Sequence, residues 1–151
     1  MESFAAGIVP YTSINGIDYF LLGMEKSNKK WSGFVGGSEP GETPVKTALR
    51  EFHEETAMVF KNLNEYIKIE LENKLPIVDK TTTGKTVYIW FIHFPVYTLF
   101  MDFSNFYNVI FTTTKSEYKE KSELWWFNRR EIDSAVVLYK LKKMIHRFQT
   151  G

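Results

Sequence analysis

The chain has 151 residues, a formal net charge of +1 and no cysteine. That balance gives no global attraction to nucleic acid or an anionic membrane, and the lack of cysteine excludes disulfides and thiolate metal sites. Hydrophobic residues make up 44% and charged residues 25%, ordinary for a globular protein of single-domain length (1–151). The start, MESFAAGIVPY, has no basic region followed by a long apolar run, and VYIWFIHF is far too short to span a bilayer. A cytoplasmic protein without a membrane partner is therefore expected.

The first elements are two apolar runs, Phe4 to Tyr11 and Ile17 to Met24, separated by Ser13-Ile14-Asn15-Gly16. Asn-Gly tolerates positive φ at both positions, which predicts an antiparallel hairpin. KSNKK (26–30) is a polar loop, and Trp31 to Val35 a short strand entering a glycine-rich loop. A helix follows from Pro44 to Thr56, capped by Thr43 and with Pro44 in the first turn, where its missing N–H is harmless. Beyond it, alternation of Ile67, Ile69 and Leu71 predicts a strand over 66–72. Residues 74–85 read as a connection or hairpin tip. Thr86 to Phe94, apolar on both faces except for His93, reads as a central strand. Residues 96–103 read as an extended edge and Ser104 as the cap of a short helix over 105–111. A charged loop (112–122) leads to a strand at Glu123 to Phe127. Asp133 or Ser134 caps a last helix striped by Val137, Leu138, Leu141, Met144, Ile145 and Phe148.

The informative stretch is Gly36 to Met58, GGSEPGETPVKTALREFHEETAM. At about 100° per residue, Glu51, Glu54 and Glu55 share one face of its helix, while Val45, Ala48, Leu49 and Phe52 share another suited to burial. Like charges at i,i+4 destabilise a helix, so the carboxylates serve something else. Placed beside a loop that can offer carbonyls, they suit a hard divalent cation such as Mg²⁺. Gly36, five residues, Glu42, seven residues, then Arg50-Glu51-Phe52-His53-Glu54-Glu55-Thr56-Ala57-Met58 resembles the Nudix box, G-x5-E-x7-R-E-U-x-E-E-x-G-U. Ala57 replaces the usual glycine. That position normally ends the helix in the left-handed conformation, so a reshaped helix exit is expected here.

The resemblance implies an α/β/α sandwich around a mixed sheet. It further implies hydrolysis of a nucleoside diphosphate linked to some group X, dependent on Mg²⁺ with Mn²⁺ as a substitute. Glu51, Glu54, Glu55 and the Gly36 carbonyl are then the metal ligands, and Arg50 orients carboxylates, Glu42 included. The general base is Glu51 or a glutamate from a later loop. Among Glu117, Glu120 and Glu123, the favoured residues are Glu120 and Glu123. The first expected substrate is a nucleoside or deoxynucleoside triphosphate or related nucleotide. Capped RNA or a dinucleoside polyphosphate is an alternative, with RNA supported by the basic side of the last helix (Lys140, Lys142, Lys143, His146, Arg147). A non-catalytic nucleotide-binding domain is another. Trp31, Phe34, Tyr88, Trp125 and Trp126 are candidates for stacking on a base, and segment 96–111 for a homodimer contact. His53 reads as an exposed helix residue and His93 as a core histidine.

Overall fold

In the computed structural model, which describes residues 3–148, the hairpin forms at Asn15-Gly16, with φ of 52° and 76°. It joins β1 (Ala5–Ile14) to β2 (Ile17–Glu25). Met1, Glu2 and residues 149–151, the ends of the expected 1–151 domain, lie outside the described residues. On one side β1 runs parallel to β6 (Thr86–His93). On the other it is shared: its first half pairs with β4 (Phe34–Gly37) and its second half with β2, both antiparallel. The changeover falls at Val9-Pro10, where proline has no N–H to leave unpaired. β2 pairs further with β3 (Trp31–Ser32) and β7 (Lys121–Asn128), and β5 (Ile77–Lys80) pairs with β6. The result is the expected mixed sheet.

Side chains alternate between its faces and build two cores. Ala6, Ile8, Leu21, Trp90 and Ile92 face α1 (Pro44–Glu55), α2 (Asn64–Asn73) and α3 (Ser104–Thr112), which contribute Phe52, Ile67, Leu71 and Phe106. Val9, Phe20, Leu22, Ile89 and Phe127 face α4 (Arg129–Ser134) and α5 (Tyr139–Arg147), which contribute Ile132, Leu141, Met144 and Ile145. Helices on both faces complete the sandwich. No helix among the described residues is long and apolar enough to cross a membrane.

Several local expectations are corrected. Residues 66–72 are helical: Ile67 and Leu71, four apart, are buried, whereas Ile69 is 56% exposed. The alternating trio contained a helical pair, and packing on α1 decided the period. The 74–85 connection contains β5 as well as the turn. Residues 96–100 form a 3₁₀ turn rather than an extended edge, with the Thr98 hydroxyl donating to the Pro95 carbonyl. α3 begins at Ser104 itself, whose N–H donates to Asp102. The last helix is two. Asn128, not Asp133 or Ser134, caps α4 through a capping box with Glu131, and Val137 bridges Trp31 before α5 starts. The exit of α1 is not reshaped away from the left-handed region: Ala57 adopts φ 52° and Met58 φ 63°.

Candidate metal centre

α1 starts as its sequence dictates, with Thr43 accepting from the Lys46 N–H and Pro44 at its first position. Ala48 and Phe52 are fully buried, which fixes the helix rotation. That rotation carries Glu51 and Glu55 inward as well; Glu55 is 2% exposed. Glu51 lies against Gly36 so closely that a Cβ there would overlap its carboxyl group, so any larger residue would push that carboxylate out of place. His53, expected to be exposed, is buried and hydrogen-bonds Asn64 at 2.9 Å.

Glu51, Glu55 and Glu120 each place a carboxylate oxygen within 4.8 Å of the others. Glu120 enters from the residue before β7. Glu54 stands outside this trio, bonded to Arg50 at 3.0 Å. Glu123 is exposed on β7 opposite Met24 and is not brought into the cluster.

Arg50 ties the acidic side chains together. Its Nε and Nη2 donate to the two Glu42 oxygens at 2.8 and 2.9 Å, a bidentate fork. Nη1 donates to Glu51 at 2.9 Å and to Glu54, and Nη2 also donates to the Gly37 carbonyl at 2.9 Å. This fork holds the Glu42 carboxyl down at about 2. The other carboxyls move the opposite way. Burial pushes Glu55 well above the usual carboxylate range, against the pull of Lys121, and Glu51 and Glu120 add to the rise. Burial also raises Glu54 and Glu120, and Glu51 adds to both.

Carboxylates crowded without a cation resist ionising together. One divalent ion would reverse that, and the donor set suits it: all ligand atoms are hard oxygens. Glu55 Oε2 is buried without a hydrogen-bond partner, as an atom reserved for an ion would be. Mg²⁺ fits this site.

Lys121, Glu25 and Ser32 were not foreseen as part of it. Lys121 is 3% exposed, and its Nζ lies 3.7 Å from Glu55 and 3.9 Å from Glu25. In sequence it is one lysine in a charged loop. A bulge between Met24 and Glu25 shifts the β2–β7 register there, and strand alternation alone does not reveal that. A cavity of about 300 Å³ opens beside Glu55, Glu120 and Lys121. It shares Glu25 and Val35 with a cleft of about 340 Å³ walled by Val87, Ile89, Leu138, Leu141 and Met144. None of the five candidate stacking residues lines either space. Phe34 is core, and Trp125 and Trp126 face a separate groove with Phe100.

A mixed sheet between helix layers, with a carboxylate cluster on the helix after a glycine loop, defines the class. The model of the NUDIX domain family matches residues 3–147, and the chain belongs to that family. Several solved structures share its fold. C. elegans Ap4A hydrolase is 20% identical, with a TM-score of 0.62 covering 95% of this chain and 94% of that one. A mutT/nudix family protein from Listeria innocua is 14% identical, with a TM-score of 0.59 over 96% and 90%. The NUDIX domain of Shewanella oneidensis NrtR, complexed with ADP ribose, is 12% identical, with a TM-score of 0.55 over 95% and 83%. Uncharacterized protein L534 of Acanthamoeba polyphaga mimivirus is 41% identical over 72 residues, 44% of this chain. The match spans 23% of that relative's length.

Proposed function

We propose that this chain hydrolyses a phosphoanhydride bond of a nucleotide, a nucleoside diphosphate linked to a group X, with Mg²⁺ or Mn²⁺ as cofactor. The observation that carries this reading is the convergence of Glu51, Glu55 and Glu120 oxygens within 4.8 Å. These three residues, with Glu54 and the Gly36 carbonyl beside them, would hold the cation. A bound divalent ion neutralises phosphate charge and lowers the pKa of coordinated water. Arg50 keeps Glu51 and Glu54 aimed, so the carboxylates need little rearrangement on loading. Glu120 is exposed and nearest to open solvent among the three. It is the residue we assign as acceptor of the proton from the attacking water.

The cleft beyond Glu25 and Val35 has the volume for one nucleoside-sized group and apolar walls to desolvate it. A nucleoside triphosphate is the first reading. A dinucleoside polyphosphate is the second, favoured by the likeness to an Ap4A hydrolase over nearly the full length of both chains. The test is phosphate or nucleotide release from a panel with Mg²⁺: nucleoside triphosphates, Ap4A, ADP-ribose and capped RNA. Release should vanish with EDTA and fall at least about 100-fold in Glu55→Gln. Undiminished turnover in that variant would remove the assignment, and a ligand-induced thermal shift without turnover would favour a binding domain.

A further inference from the structure

The Lys121 ammonium is enclosed by oxygens. It donates to Ser32 Oγ, to the Gly33 carbonyl at 3.0 Å and to the Gly23 carbonyl at 3.4 Å, with Glu55 Oε1 and Glu25 Oε2 at ion-pair distance. The Phe34 ring lies 5.5 Å away. Room for the stem is made by a missing side chain: a Cβ on Gly23 would come within 2.7 Å of Lys121 Cδ.

Lysine is almost never this buried unless it is paired. A mere tie between β7 and its neighbours would not need a charge, since the β2–β7 ladder already supplies one. Nor would it need a buried carboxylate at ion-pair distance, which Glu55 provides at 3.7 Å. Glu25 Oε2, the more distant partner, also accepts from Ser32 Oγ at 2.8 Å. Among the described residues, Lys121 is the one basic group in an ion pair with Glu55, and it directly follows Glu120 in sequence.

We propose that Lys121 is a resident counter-cation of the carboxylate cluster, compensating its charge in the empty protein and opposing the entry of a divalent ion. This rests on the reading of Glu51, Glu55 and Glu120 as the cation site. In the metal-free chain the fixed ammonium takes part of the load that an ion would carry, so the cluster stays assembled without one. Once an ion enters, the same charge repels it, so the site holds the ion less tightly than its carboxylates would alone. Lys121 is thus a positioning residue that sets metal affinity through Glu55.

The test is Mn²⁺ binding to the full chain without substrate, by electron paramagnetic resonance or calorimetry, in the wild type, Lys121→Met and Lys121→Gln. Glutamine keeps an amide donor for Ser32 and Gly33 and serves if the methionine variant does not fold. Either variant should bind Mn²⁺ tighter, by roughly fivefold or more for lost repulsion at the effective dielectric of a partly buried site. Its Tm without metal should drop, and its Tm gain on adding Mn²⁺ should exceed that of the wild type, as linkage requires. A lower Tm with unchanged or weaker Mn²⁺ affinity would mean a structural tie only and would overturn the proposal. A wild type that binds no Mn²⁺ would overturn both this inference and the metal-site reading.

Discussion

Two cations flank the acidic row of α1, and they are used in opposite ways. Arg50 is partly exposed and makes five hydrogen bonds, none longer than 3.0 Å, to Glu42, Glu51, Glu54 and the Gly37 carbonyl. Lys121 is enclosed, yet its carboxylate partners stand 3.7 and 3.9 Å off, and Glu55 keeps one oxygen without a partner. A planar guanidinium takes both Glu42 oxygens and one oxygen each of Glu51 and Glu54, whereas an ammonium acts as a point charge and leaves Glu55 Oε2 free. The Arg50 flank therefore fixes the acidic row in place. The Lys121 flank holds the buried acceptor that stays open for an incoming ion.

That contrast can be broken most strongly at Glu120. Glu120→Gln should lower kcat at least about 100-fold, the scale of a lost positioned base. Glu123→Gln, only three residues away but outside the cluster, should stay within about twofold, near the noise expected of a surface substitution. Steady-state rates on the best panel substrate compare the two, and equal losses would dissolve the distinction between them.

Arg50→Lys replaces the fork by a point charge and makes the two flanks alike. Activity should fall roughly 10- to 100-fold, the usual scale for residues that orient metal ligands. The same variant should weaken Mn²⁺ binding, the reverse of what is expected at Lys121.

The two flanks titrate with opposite sign. The Glu42 carboxyl is depressed to about 2, so its contribution is present above the unfolded value of 4.5 and lost as pH falls towards 2. We expect on the order of 1–2 kcal/mol to disappear over that range, after allowing for solvent screening. Glu55 is raised, so the metal-free fold binds its proton more readily than the unfolded chain and loses stability as pH rises above 4.5. Urea melts across pH 2–7 should show both slopes, with the low-pH slope weakened in Arg50→Lys.

The smallest effect is at the end of α1, two residues past Glu55. Ala57→Gly relieves a Cβ in the left-handed region but removes a buried methyl and frees the unfolded chain, so stability should change by less than about 0.5 kcal/mol. Activity should not change, and denaturant midpoints check it.

The hairpin and the carboxylate helix were legible because they are written locally, in the Asn15-Gly16 turn and the Thr43-Pro44 start. The three-layer fold followed from the family resemblance carried by the spacing from Gly36 to Met58. What sequence reading missed depends on partners far along the chain. Residues 66–72 carry a pattern compatible with either period until α1 is there to pack on. The 128–139 segment holds several capping residues, and only the Asn128–Glu131 pair closes a reciprocal box. Sequence favours Glu120 and Glu123 equally, one near the end of a charged loop and the other at the start of the next strand. The register of β7 against β2 separates them, and that same register buries Lys121.

The shared use of β1 bears on how the chain is made. Its inner edge waits for β6, some 80 residues later, and the seat of Lys121 lies between Gly23 and Gly33, about a hundred residues upstream. During synthesis the hairpin and the carboxylate helix leave the ribosome long before either closing partner exists. Contacts of such separation slow folding and leave strand edges open to wrong pairing. A nascent chain stopped before residue 121 would carry the whole Nudix box and still lack the cation built to balance it.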